Sequence, residues 1–324
     1  MINIVGTGSY LPKKILTNYD LEKIVETSDQ WIVERTGIRE RRIAENGLAN
    51  SEMGMQAALK ALSDAQINPE DIDLIVVATM TPDMLSPSTA CLIQERIGAK
   101  KATCFDLNAA CSGFLYALDV SKKFLESDQF GNALVIGAEK LSAIVDWKDR
   151  STCILFGDGA GAAVLSKKKS GHKILGIFLG SDGSGADALK IPAGGSLMPP
   201  THKTVDDRLH FMKMDGREVY KRAIDVMSKI SLDSIANCGL TMEDVDLFIP
   251  HQANKRIIDA VAKKLSFPSE KVFINLDRYG NTSAASIILA LDEAKVQGQI
   301  QKGDHILIVV FGAGFTWGGC VVEW

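Results

Sequence analysis

The sequence predicts an α/β protein in which two similar halves stack as layers, and three observations predict it. Continuous Val/Ile/Leu runs of strand length indicate strands covered on both faces. The same succession of helix, buried strand, loop, helix, strand, helix and strand occurs twice along the chain. Glycine is abundant (28) while aromatics make up only 6%, a balance that suits close α/β packing better than a β-sandwich.

The repetition is explicit in the residues. PEDIDLIVV (Pro69–Val77) recurs as MEDVDLFIP (Met242–Pro250), 173 positions later, and Ala117-Leu118-Asp119 recurs as Ala290-Leu291-Asp292 at the same offset. This period is far longer than that of a solenoid repeat and marks a duplication. In the first half, strands are expected at Ile72–Thr79, Ala102–Leu107 and Ala133–Ala138, with helices from near Ser88 and over Ser112–Ser127. In the second, strands are expected at Leu247–Pro250, Val272–Leu276 and Ile306–Phe311, with helices over Asn254–Leu265 and Thr282–Val296. The halves divide at residues 1–170 and 171–324, with helices between two sheets. The Gly-, Pro- and Ser-rich stretch Gly183–Asp207 is read as an insertion or lid. FGDGAG (Phe156–Gly161) lacks the Lys-Ser/Thr end of a phosphate loop and precedes a strand, so it is read as a structural turn.

Composition narrows the function. Hydrophobic residues make up 46% and charged residues 23% of 324 residues, enough for a sizeable core. A formal net charge of -4 argues against general affinity for nucleic acid. No apolar run is long enough for a membrane span, and the N-terminal MINIVGTGSYLP lacks the pattern of a signal peptide. The six cysteines form no CxxC pair and no zinc-ligand spacing with His, so no metal is expected and a reduced cytoplasmic protein fits best.

Three residues carry the chemical signal. Cys111, in Asn108-Ala109-Ala110-Cys111-Ser112-Gly113, directly follows a strand and opens a helix. Unpaired N–H groups and the helix dipole there favour an anion, so its pKa is expected to fall. His251 lies in Pro250-His251-Gln252-Ala253-Asn254, and Asn281 in Gly280-Asn281-Thr282-Ser283-Ala284-Ala285-Ser286. Each alone reads as structure or turn chemistry. Together they fall at the carboxyl ends of strands, where open α/β sheets bind ligands.

The strings AACSGF, PHQAN and GNTSAAS, in that order, resemble the ketoacyl-acyl carrier protein synthase III family of fatty acid synthesis. GTGSYLP, TSDQWIVERTGIRERR, FGDGAGAAV and FGAGFTWG extend the resemblance along the whole chain. It implies a thiolase-like five-layer αβαβα sandwich and a homodimeric acyltransferase. Cys111 would take the acyl group from an acyl-CoA, with backbone N–H groups of Cys111 and Ala313 holding the oxyanion. His251 and Asn281, as neutral donors, would stabilise the enolate left when malonyl-acyl carrier protein loses CO2. Coenzyme A enters as part of the substrate, and no cofactor is implied.

The resemblance also assigns binding residues. Trp31, Arg35 and Arg150 match the family's CoA contacts, with Thr27 and Gly216 as further tunnel positions. Phe156, Leu189 and Phe311 would line the acyl pocket, and Ser86 stands where relatives often carry an aromatic that floors the partner subunit's pocket. Its small side chain implies a deeper pocket, unless Met84 or Leu85 fills the space. Arg217, Lys221, Arg222, Lys255, Arg256, Lys263 and Lys264 would form a docking face for the acidic carrier protein. The rival readings are a Cys-His-Asn hydrolase, a noncatalytic interaction protein, and a related synthase using a longer or unusual primer in specialised metabolism.

Overall fold

A computed structural model describes residues 2–324. Nine strands form the main sheet: β1 (Asn3–Tyr10), β2 (Leu74–Ala78), β3 (Thr103–Leu107), β4 (Asn132–Glu139), β5 (Gly159–Ser166), β6 (His172–Ser181), β7 (Leu247–Pro250), β8 (His305–Gly312) and β9 (Thr316–Glu323). Their order is β7-β8-β9-β6-β1-β5-β4-β2-β3. The β1–β6 junction is a seam of two residue pairs, Asn3 with Lys173 and Ile4 with His172. The two expected sheets are thus hydrogen-bonded edge to edge.

On one side of the seam the strands, counted along the chain, lie in the order third, second, fourth, fifth, first. The other side repeats this order, with one difference. Val272–Leu276, expected to be a strand, makes only a single parallel bridge from Val272 to Phe248, and Leu276–Tyr279 is a helical turn. The reason is Gln252, whose carboxamide donates to the carbonyls of Pro250 (2.8 Å) and Phe273 (3.1 Å) and accepts from Asn275 N–H (3.0 Å). One side chain thereby satisfies backbone groups that a longer ladder would otherwise pair.

The layers follow from where the helices pack. The principal helices are α1 (Asp29–Thr36), α2 (Asn50–Ala65), α3 (Thr89–Ile97), α4 (Gly113–Leu125), α5 (Gly216–Asn237), α6 (Lys255–Lys264) and α7 (Ser286–Val296). Helices α4 and α7 each touch strands from both sides of the seam and form the middle layer. Helices α2 and α3 cover the outer face of the first group of strands, and α5 and α6 that of the second. Starts are capped by the expected residue types: Ser88 accepts from Cys91 N–H, Asn254 from Arg256 N–H, and Asp215 from the N–H groups of Arg217 and Glu218.

The middle helices start later than expected. A 3₁₀ turn, Ala110–Ser112, precedes α4, and its counterpart Ser283–Ala285 precedes α7, again 173 positions on. The preceding 3₁₀ turns Pro69–Asp71 and Met242–Asp244 keep the same spacing. The stretch Gly183–Asp207 runs between β6 and α5 and ends in the helical turn His202–Asp206. Arg208, just past it, donates from Nε to Asp146 (2.9 Å), and Met212 N–H bonds the Ile144 carbonyl (2.9 Å).

The middle layer leaves no room at Gly137 on β4, where a Cβ would lie 2.6 Å from the Ala284 carbonyl oxygen. Gly137→Ala should therefore lower the unfolding free energy by about 1–3 kcal/mol, the cost of overpacking a close-packed core. Gly195→Ala, where a Cβ meets nothing within 4 Å, should stay within about 0.5 kcal/mol. Urea denaturation of the two variants checks both values.

Candidate active site

The chain delivers three side chains to one place, two from strand exits and one from the helical turn Leu276–Tyr279. After β3, Ala110 adopts a left-handed conformation (φ 47) and throws Cys111 onto the 3₁₀ turn before α4. The turn lies hard against the end of β8: a Cβ on Gly312 would come 2.8 Å from the Cys111 backbone nitrogen. His251 follows β7, its N–H bonded to the Val309 carbonyl (2.8 Å). Asn281 follows Gly280 (φ 65) and pairs with the segment of Phe156: its N–H bonds the Leu155 carbonyl (2.8 Å) and its carbonyl accepts from Gly157 N–H (3.0 Å).

All three line one cavity of ≈ 330 Å³, together with Trp31, Arg35, Phe156, Leu189, Gly216 and Phe311. A second cavity of ≈ 450 Å³ meets the first at Cys111, Phe156 and Leu189 and is also bounded by Ser283 and Ala313. Ala313 is not among the residues with positive φ, so alanine fits there without strain. Trp31 sits between two cations, with Arg150 4.7 Å and Arg35 5.6 Å from its ring centroid. Arg150 and Thr27 lie outside the cavity wall; the Thr27 hydroxyl has no partner. Ser86 is exposed and borders neither cavity of its own chain.

The polar groups are set by their neighbours. Asn281 Oδ1 accepts from Ser283 N–H (2.8 Å), which leaves the Nδ2 donor for the cavity. His251 Nδ1 shares a 2.6 Å hydrogen bond with the Ser286 hydroxyl, leaving Nε2 for the cavity. Burial lowers the His251 pKa from 6.5 to about 4, so the ring is neutral near pH 7. Cys111 departs from expectation. Burial pushes its thiol up to about 11, with Ser283 pulling the other way and the Glu139 charge adding to the rise. Loss of water outweighs the helix-start effect inferred from the sequence.

The seven cations expected on one face all lie on α5 and α6 and are exposed. Lys255 is paired with Asp259, Lys264 with Asp225, and Arg222 with Glu218 and Asp182. Arg217, Lys221, Arg256 and Lys263 have no salt bridge among the described residues, and Arg256 lies over the Tyr220 ring.

Sequence reasoning missed Ser286, Ser283 and Glu139. Ser286 orients the imidazole from inside a run read only as a small-residue turn. Glu139 closes the otherwise apolar strand Asn132–Glu139 and is fully buried. An acidic residue ending such a strand was a visible signal. FGDGAG behaves as a turn: Asp158 is buried and accepts from Ala44 N–H and from the N–H and hydroxyl of Ser142.

Comparison with known proteins adds the family. Residues 105–183 match the family described as 3-Oxoacyl-[acyl-carrier-protein (ACP)] synthase III, and residues 235–324 match its C-terminal family. The chain is 56% identical over 321 residues to Beta-ketoacyl-[acyl-carrier-protein] synthase III of Caldanaerobacter subterraneus subsp. tengcongensis, covering 99% of this chain and 97% of that one. It is 54% identical to the protein of the same name from Desulfitobacterium hafniense, covering 100% and 98%. The crystal structure of 3-oxoacyl-[acyl-carrier-protein] synthase III from Aquifex aeolicus superposes with a TM-score of 0.93 at 48% identity, covering 100% of both chains. The Thermus thermophilus enzyme gives 0.92 at 45%, covering 99% of both.

The neutral imidazole is directly testable. In a histidine-labelled sample, one ring signal should titrate at about 4 and vanish in His251→Gln. The unfolded chain protonates this ring near 6.5 while the fold resists until about 4. The folded pKa is depressed, so this group's contribution to stability is present above 6.5 and is lost as pH falls through that window.

Proposed function

The chain belongs to the 3-oxoacyl-[acyl-carrier-protein] synthase III family, and we propose on that premise that Cys111, His251 and Asn281 carry its condensation chemistry. The enzyme has the thiolase-like αβαβα fold. It joins an acyl-CoA primer to malonyl-acyl carrier protein with loss of CO2, giving 3-ketoacyl-acyl carrier protein and initiating fatty acid synthesis. The observation that supports the residue roles is one cavity walled by a thiol and two neutral donors.

In the first half-reaction Cys111 sulfur attacks the acyl-CoA carbonyl and CoA thiolate leaves. The N–H groups of Cys111 and Ala313 receive the oxyanion. In the second, malonyl thioester loses CO2, and the enolate oxygen takes hydrogen bonds from His251 Nε2 and Asn281 Nδ2. A carboxylate in either position would repel that charge. The enolate carbon then attacks the Cys111 thioester and restores the thiol. We propose neither a metal nor a redox cofactor.

CoA is assigned to the mouth of the first cavity. The indole of Trp31 beside Arg35 and Arg150 suits an adenine with its phosphates, and Gly216 on the cavity wall stands beside that path, whereas the Thr27 hydroxyl is buried and is assigned there by resemblance alone. The acyl chain is assigned to the apolar walls at Phe156, Leu189 and Phe311. Ser86 enters only through a second copy of the chain. A homodimer is supported by the adjoining Leu85 (93% exposed) and Met84 (46%), and by β3, an edge strand with half-buried side chains. The carrier protein is assigned to the cations of α5 and α6, chiefly the unpaired Arg217, Lys221, Arg256 and Lys263. No helix among the described residues is long and apolar enough to cross a membrane. We place the reaction in the cytoplasm, a reading supported by six cysteines without a disulfide.

Cys111→Ala should abolish the acyl-enzyme while retaining malonyl decarboxylation, and His251→Ala should do the reverse. Intact-protein mass spectrometry after acyl-CoA treatment reads the first property; an acyl adduct persisting on Cys111→Ala rejects the assignment. Arg256→Glu should weaken carrier-dependent turnover about tenfold, chiefly through association, while sparing acylation by acyl-CoA. Equal loss of both rejects the docking role.

A further inference from the structure

We propose that Cys91 and Cys104 form a modification site, a thiol pair that hydrogen peroxide converts into a reversible disulfide within the chain. Neither residue lines the cavities around Cys111, so the site is separate from the chemistry proposed there.

The two sulfurs lie 3.5 Å apart and share a hydrogen bond in which either can donate. Among the described residues no other two cysteines share one. Two ties hold the pair face to face. At one end the Asp106 carboxylate on β3 accepts from the N–H groups of Thr89 (2.7 Å) and Ala90 (2.8 Å), the first residues of α3. At the other, the Gln94 carboxamide donates to the Ala102 carbonyl (2.8 Å), just ahead of β3. Cys91 lies between these ties on the helix, and Cys104 lies midway between them along the strand segment. Bonded sulfurs are about 2.0 Å apart, so side-chain rotation has a gap of about 1.5 Å to close while the ties stay made. Both thiols are partly exposed. Cys104 projects from β3 onto the outer face, against the cluster that α2 and α3 cover. Side chains stand out of the plane of a sheet, so pairing of the β3 edge with a second copy would leave this thiol facing α3.

Burial, with Cys91 beside it, pushes the Cys104 thiol up to about 11, which keeps it neutral near pH 7. Cys91 is therefore assigned as the sulfur that meets peroxide. It lies in the first turn of α3, and the Ser88 hydroxyl donates to it (3.2 Å), a contact that supports charge developing on sulfur. The Cys91 sulfur attacks one peroxide oxygen, the O–O bond breaks, and the thiol proton leaves with the other oxygen as water. The product is a sulfenic acid on Cys91. The Cys104 sulfur, already in contact, then attacks the Cys91 sulfur. The S–OH bond breaks, and the Cys104 proton leaves with the hydroxyl as a second water. Two thiols are oxidised to one disulfide while one peroxide is reduced to two waters. Exchange with a dithiol reverses the change, so in a reducing compartment the bond is transient. It would fasten the start of α3, which follows the Ser86 segment, to the strand that leads into the Cys111 turn.

The test exposes the purified protein to a small excess of hydrogen peroxide, alkylates the remaining thiols, and digests it with trypsin without reduction. Arg96, Lys100 and Lys101 lie between the two cysteines, so they fall on separate peptides. Mass spectrometry of the wild type should find these peptides joined, lighter by two hydrogen atoms than the free pair, and dithiothreitol should part them. Fragment spectra distinguish Cys104 from Cys111, which shares its peptide. Cys104→Ser should stop at the sulfenic acid, with dimedone trapped on Cys91 at least about tenfold above wild type. Cys91→Ser should give neither the disulfide nor a dimedone adduct on Cys104. Free, alkylated thiols at both positions of the wild type after peroxide overturn the proposal. So does a disulfide that joins two chains, or that uses Cys111 in place of Cys104. Dimedone on Cys104 in Cys91→Ser overturns the assigned order of attack. The cross-link is read on the wild type, so it decides the proposal even where a variant fails to fold.

Discussion

The structure depends on how closely two strand-to-helix turns approach at the midplane. The turn before α4 and the turn before α7 each begin with a left-handed residue, Ala110 and Ser283, related by the repeat. Gly137 lies against the Ala284 carbonyl, and Gly312 against the Cys111 backbone. No side chain larger than hydrogen fits at either contact without displacing backbone. Because the turns pack directly on one another, Cys111 from one half and Asn281 from the other meet the His251 exit in one cavity.

That approach also sets the electrostatics. Water is excluded where the halves meet, so charge is costly there. Burial raises the Cys111 thiol and the Glu139 carboxyl and lowers the His251 ring. The interior thus favours neutral forms, which suits chemistry that passes an acyl group and a transient enolate. Cations flank the cavity: Arg35 and Arg150 beside Trp31, and the unpaired cations of α5 and α6.

Much of this was legible in the chain. The offset of 173 located both middle helices and their turns, and five of the nine main strands (β2, β3, β4, β7 and β8) overlap segments read as strands. Cys111, His251 and Asn281 were each found because small residues and Gly-Asn turns mark the ends of strands and helical turns. Val272–Leu276 was misread, since nothing in its own residues reports that the Gln252 carboxamide takes over the backbone pairing. The acidity of Cys111 was misjudged for a related reason: its sequence context describes the helix start, whereas desolvation comes from β8 and α7, almost two hundred residues away.

The sequence by itself determined the α/β class, the duplication, the three residues that meet in the cavity, and the sign of the outer face. These follow from local periodicity and residue type, which a linear chain displays directly. Only the tertiary structure decided which groups are deprived of water and which nitrogen of His251 is left for the cavity. Those properties are pairwise and depend on distance. The contact between the Cys111 turn and the Ser283 turn comes into being only when the two halves close, and that of His251 with Ser286 only when distant segments of one half fold together.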